Sequence, residues 1–151
     1  MSRDADDSEL NTGLLLFVAY RAMEQRVMAE LAAEGHEMTI AHARVFQRIA
    51  PGGSRLTDLA EAAQVTKQTA GFLVDQLEKA GYVRRTPDPT DGRARLVVVA
   101  ERGTQAVARS AVTVAAVEQE WADHLGARRY AQLRAILTDL REITDPWRER
   151  P

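Results

Sequence analysis

At 151 residues, with 45% apolar and 28% charged side chains, the chain fits a single folded domain with a core of its own. No apolar run approaches the roughly 20 residues of a membrane span, and zero cysteines exclude disulfides, thiolate metal sites, cysteine nucleophiles and thiol redox switches. A net charge of −2 does not advertise a nucleic-acid binder, but residues 64–95 hold six Lys/Arg against four acids, so a small basic excess is localised in an acidic remainder.

Residues 1–8 are polar and acidic. The start MSRDADDSE lacks the basic n-region of a signal peptide, and a cytoplasmic protein is predicted. Asp6 or Ser8 is expected to cap a first helix of about 25 residues carrying Leu14, Phe17, Val18, Val27, Met28 and Leu31, which ends near Gly35. Thr39 caps a second, AHARVFQRIA, with Ala43, Val45, Phe46 and Ile49 on one face; PGGS stops it.

The next stretch, RLTDLAEAAQVTKQTAGFLVDQLEKAGYV, reads as two helices joined by a tight turn. Thr57 is the expected cap of the first, which buries Leu59 and Ala63 and leaves Ala60 small for a close crossing. Val65 plugs the angle, Thr66 caps the second helix, and Ala70, Leu73, Val74 and Leu77 face inward up to a Gly81 stop. This is a helix-turn-helix pattern. Its outward residues at the start of the second helix are Lys67, Gln68, Thr69, Gly71 and Phe72.

Tyr82–Arg85 and Ala94–Val99 then read as the strands of a hairpin, joined by a Pro/Asp/Thr/Gly loop of seven to nine residues. Arg84, Arg85, Arg93 and Arg95 would sit on this finger. Two more helices close the chain: Glu101 to about Leu125, with Val107, Ala111, Val114, Val117 or Glu118, Trp121 and Leu125 near heptad spacing, and Ala127 to Thr144, with Tyr130, Leu133, Ile136, Leu137, Leu140 and Ile143. Pro146 ends them. Asp139, Glu142 and Asp145 read as a solvated face. The predicted class is mainly α with a small β-hairpin (α+β): a lobe at 36–100, and a helical layer from 8–35 and 101–146 that is too apolar for solvent and is expected to dimerise.

The chemistry follows from residue type. The N–H groups at the start of the second helix, with the hydroxyls of Thr66 and Thr69, suit phosphate; Lys67 and Gln68 suit base edges in the major groove. Arg93 at the finger's tip suits a narrow minor groove, and Asp91, two residues earlier, can pair with it and hold its direction. His36, His42 and His124 match no metal-ligand spacing, and no nucleophile elbow, phosphate loop or paired-carboxylate site is present, so neither metal, cofactor nor catalysis is expected.

On LTDLAEAAQVTKQTAGFLVDQLEKAGYVRRTPDPTDGRARLVVVAERG, including the Asp91 to Arg93 element, the chain resembles the MarR family of winged helix-turn-helix transcriptional regulators over nearly its whole length. The resemblance implies a homodimer that binds palindromic double-stranded DNA and is released by a small aromatic or anionic effector. The DNA-contacting positions would be Thr66, Lys67, Gln68, Thr69, Gly71, Arg84, Arg85, Asp91, Arg93 and Arg95. An effector cleft between dimer layer and DNA-binding lobe would include Tyr20, His42 and Phe46. The expected function is a repressor on a pseudo-palindromic operator with half-sites roughly 34 Å apart; the competing reading is a winged-helix protein-interaction module without specific DNA binding. Four positions depart from the family pattern: Gln64 for a turn Gly, Gly71 for Ser, Phe72 for Arg, and Ala100 for a Thr cap.

Overall fold

A computed structural model describes residues 9–145 and 147. Six helices and one hairpin follow in the order α1 (Thr12–Ala33), α2 (Ile40–Phe46), α3 (Leu56–Ala63), α4 (Lys67–Lys79), β1 (Val83–Asp88), β2 (Asp91–Val99), α5 (Glu101–Leu125) and α6 (Ala127–Thr144). This is the predicted mainly helical class with one antiparallel hairpin.

Two caps differ from expectation. The α1 cap is Asn11, whose side chain accepts from the Leu14 N–H; Asp6 and Ser8 lie outside the described residues, as does Pro146. Helix α3 begins at Leu56 with Arg55 at the N-cap and no side-chain bond, so Thr57 is already helical. A guanidinium has no acceptor to offer the first N–H groups, and the Arg55 side chain turns to the wing instead. Thr39 caps α2 as predicted, in a reciprocal box with His42. Ala100, with no side-chain cap to offer, opens α5.

The core forms where α2, α3, α4 and the root of the hairpin meet. Val45, Leu59, Val74, Leu77, Tyr82, Val83 and Val97 are almost fully enclosed; a leucine buried to this degree contributes about 2 kcal/mol. Ala60 and Ala70 are buried between α3 and α4, so the small side chains permit the close crossing, whereas Ala63, expected inside, is half-buried. The turn between these helices puts Gln64 at φ 58°, ψ 44°, the one non-glycine residue with positive φ among those described. A side chain there costs about 1 kcal/mol relative to glycine, and the turn carries that strain.

The hairpin is longer and tighter than predicted. Its register runs from Val83 opposite Val99 to Asp88 opposite Asp91, with an irregularity at Pro87/Asp88, so only Pro89 and Thr90 form the turn. Pro87 lacks a ladder donor and sits beside the irregularity, where the loss is tolerated. Ser54, read only as part of a stop, bridges to Val97 through two backbone bonds of 2.9 and 2.7 Å. It adds a minimal third strand.

Helix α5 presses on the hairpin's root. A Cβ at Gly103 would lie 2.2 Å from the Tyr82 carbonyl oxygen, a distance no side chain tolerates. Arg102 stacks its guanidinium 4.6 Å above the Tyr82 ring and donates to the carbonyls of Gly35 and Ala80. The inward face of α5 is Gly103, Ala106, Thr113 and Val117. That shares Val117 with the predicted heptad but is otherwise offset, because the register that admits Gly103 turns Val107, Ala111 and Val114 towards a cavity.

Helices α1 and α5 are stitched by Arg26 with Glu120 and by Arg109 with Glu30 and Glu34. Asp145 does not belong to a solvated face: it accepts from Arg48 at 2.8 Å and from Arg141 at 2.8 Å, while Arg48 also donates to the Ala62 carbonyl. The end of α6 is thereby tied to α2 and α3.

Candidate nucleic-acid interface

Thr66 caps α4 as predicted. Its Oγ1 accepts from the Thr69 N–H at 3.1 Å and donates to Thr69 Oγ1 at 2.9 Å. Both hydroxyls are thus engaged with each other, while the N–H groups of Lys67 and Gln68 have no intrahelical acceptor and face outward. Lys67, Gln68 and Thr69 are exposed. Gly71 is not an outward position: it is half-buried, and a Cβ there would meet Leu56 at 3.5 Å.

Opposite the buried Ala70, Leu73, Val74 and Leu77 runs a ridge formed by Gln68, Phe72, Asp75 and Lys79, spaced four, three and four residues apart. The acidic half of α4 is neutralised by the hairpin. Arg85 donates to Asp75 at 2.7 Å and to Glu78 at 2.8 Å, and its N–H donates to Glu78 as well. Arg85, predicted as a DNA contact, is therefore committed within the chain. It welds β1 to α4 and cancels carboxylate charge that would repel a phosphate backbone. Arg95 donates to the Arg85 carbonyl at 3.1 Å, which lays it along the ribbon.

At the finger's tip the predicted pairing is replaced by another. The Asp91 carboxylate accepts from the Arg93 backbone N–H at 3.0 Å and lies 3.9 Å from Arg55; it shapes the Arg93 backbone and does not hold its guanidinium. The orienting acid is Asp88. It is buried, accepts from the N–H and hydroxyl of Thr90 at 2.8 and 2.7 Å, and from Arg55 at 2.8 Å. The Thr90 bonds first, then Arg55, hold its carboxyl down at about 2. Arg55 at the start of α3 thus clamps the wing's turn onto the helix-turn-helix.

Sequence reasoning missed this clamp, because neither residue carries a motif and their contact spans 33 positions. The one usable signal was an Asp two residues before Thr90, which favours a side-chain turn. Arg84 and the Arg93 guanidinium have no hydrogen-bonding or ion-pair partner among the described residues and are exposed.

Behind the lobe, α1, α2 and α5 enclose a cavity of about 480 Å³. Tyr20 and Phe46, two of the predicted cleft residues, line it together with Met23, Val27, Met38 and Val107. His42 does not line it. Its ring serves the Thr39 cap and lies 2.7 Å from Gln76 of α4, on the side facing the lobe. The cavity's polar corner was not foreseen: buried Glu24 accepts from Arg44 at 2.9 and 3.1 Å and from Arg21 at 2.6 Å. Arg44 above all, with Arg21, holds the Glu24 carboxyl down at about 2 against its burial.

Among the described residues no helix is long and apolar enough to cross a membrane, and no cluster of His, Asp and Glu is arranged to hold a metal ion. The model of the MarR family matches residues 36–94. No curated protein matches the chain. Solved structures do. The transcriptional regulator Tm0710 from Thermotoga maritima is 25% identical, with 87% of this chain and 92% of that one covered and a TM-score of 0.61. A Mycobacterium tuberculosis MarR family protein, Rv2887, in complex with salicylic acid, is 25% identical over 87% of this chain and 97% of that one, at 0.62. The transcriptional repressor CouR bound to a 23-mer DNA duplex is 23% identical over 93% and 98%, at 0.70. With the helix-turn-helix and the clamped wing inside the matched region and the same fold carried through both termini, the chain has the winged helix-turn-helix fold of the MarR family transcriptional regulators it is similar to.

Proposed function

We propose that the chain is a sequence-specific DNA-binding repressor, acting as a homodimer on a pseudo-palindromic operator and released by a small aromatic or anionic molecule. The observation that carries it is the exposed start of α4, with Lys67, Gln68 and Thr69 outward, beside a wing whose Arg84 and Arg93 guanidinium groups have no partner among the described residues. Helix residues supply base and phosphate contacts in the major groove; Arg93, presented beyond the Asp88–Arg55 clamp, enters the flanking minor groove. Thr66 sets the helix N-terminus, and Arg95 and Asp91 shape the wing. The CouR complex with duplex DNA supports the same use of this fold.

In this reading residues 36–100 form the DNA-binding lobe, and 8–35 with 101–146 the dimer layer. Residues 12–20 of α1 are all exposed, Phe17 and Val18 by more than half. Helix α6 has no buried residue, and Ile143 is 85% exposed. A second copy of the chain covers these faces. The effector occupies the cavity beside Tyr20 and Phe46, whose polar corner is the Arg44–Glu24 pair; the salicylic acid complex of Rv2887 supports a small aromatic acid.

The test is binding of the purified protein to its own gene's upstream region across a salt series. The expected result is a complex whose affinity falls linearly, on logarithmic axes, as salt rises. Absence of any complex at low salt would transfer the fold to the protein-interaction reading. A thermal-shift screen of aromatic acids tests the effector: stabilisation is expected, and none among them would remove the ligand from the proposal.

A further inference from the structure

The ridge of α4 carries one group that phosphate binding does not use. Phe72 is 62% exposed, one helical turn beyond Gln68 and one turn before Asp75, at the centre of the face opposite the buried residues. Both its neighbours on the ridge are polar, and Asp75 is occupied by Arg85.

We infer that Phe72 is a specificity-determining residue that reads the C5-methyl group of a thymine in the major groove, near an adenine read by Gln68. This rests on the DNA-binding reading proposed above. A phenyl ring has no donor or acceptor, so it gains nothing from phosphate oxygens or from the hydrogen-bonding edges of bases. The floor of the major groove offers one apolar group, the thymine methyl, and the minor groove offers none. A glutamine matches the N6 and N7 atoms of adenine with two bonds. Four helical residues advance about 6 Å against about 3.4 Å for one base step, so Gln68 and Phe72 address base pairs one to two steps apart. The ridge therefore selects A·T pairs in each half-site by one polar and one apolar contact. Deleting the methyl should weaken binding about fourfold per half-site, and roughly fifteenfold when both half-sites lose it.

The experiment begins with selection of operators from random duplex DNA by the full-length protein, followed by replacement of each thymine in turn with deoxyuridine, which removes only the methyl. The expected result is one thymine per half-site at which deoxyuridine weakens the wild type about fourfold, while Phe72→Ala binds both duplexes equally and at the weaker level. Phe72→Leu should retain part of the discrimination, and circular dichroism should show both variants folded, since the ring is exposed. If operators are selected but no deoxyuridine matters, or if the discrimination survives in Phe72→Ala, the methyl-reading role is overturned while DNA binding stands. If nothing is enriched and no salt-dependent complex forms, the DNA-binding reading itself has failed and takes this role with it.

Discussion

The helix-turn-helix lobe and the terminal helices solve opposite problems with similar compositions. In the lobe, α3, α4 and the hairpin enclose their own apolar residues, and Leu59, Ala70 and Val74 have no exposed surface. In the terminal layer, the first half of α1 and the whole of α6 present leucine, isoleucine and phenylalanine outward. The lobe is complete within one chain. The terminal helices leave much of their apolar face exposed, and the same amphipathic periodicity serves both.

The largest difference should appear on cutting into each region. Leu59→Ala should cost about 3 kcal/mol of unfolding free energy through the cavity it leaves, measured by chemical denaturation. Substituting Leu140→Glu together with Ile143→Glu should leave helicity intact and convert the protein to monomer in analytical ultracentrifugation, because both side chains are already exposed within the chain. Retention of a dimer would show that the two copies meet elsewhere.

At the wing, Arg93→Ala should weaken operator binding about tenfold and reduce the salt slope by about one, with no loss of thermal stability, since its guanidinium has no hydrogen-bonding or ion-pair partner among the described residues. Acid divides the regions more finely. Glu24 has its carboxyl lowered from 4.5 to about 2, chiefly by Arg44, so the folded state binds fewer protons than the unfolded one between those values. Its contribution is full above pH 4.5 and is lost as pH falls towards 2. Glu24→Gln should flatten that part of the stability profile, as followed by thermal melts from pH 5 to pH 2.5. The smallest expected change is a gain: Gln64→Gly relieves the left-handed residue in the lobe's turn and should stabilise it by about 0.5 to 1 kcal/mol. A loss there would mean that chain entropy outweighs the strain.

Much of the molecule was legible in residue order. The caps at Thr39 and Thr66, the inward Ala70, Leu73, Val74 and Leu77, and the limits of α5 and α6 follow from propensities and periodicities that act over three or four positions. So did the outward placement of Lys67, Gln68 and Thr69. The failures share a cause. Pro and Asp at 87 to 91 signal a loop by local preference, but the pairing of Pro87 with Arg95 extends the strands through it. The heptad of α5 holds at Val117 but not at Val107 and Ala111, which are exposed, because the close approach of Gly103 to the Tyr82 carbonyl helps set the helix's rotation.

What the sequence by itself determined, then, is the order of the elements, the faces of α3 and α4 and the character of the reading residues, all of them outcomes of short-range sterics and hydrogen bonding. Only the tertiary structure decided the partners of the charged groups. It gave Asp88 rather than Asp91 to the wing's anchor, Arg85 to the acids of α4 and Glu24 to Arg44. An arginine reaches several ångströms from its backbone and can satisfy any carboxylate that folding brings within range, so its partner is chosen by packing between elements and not by its neighbours in the chain.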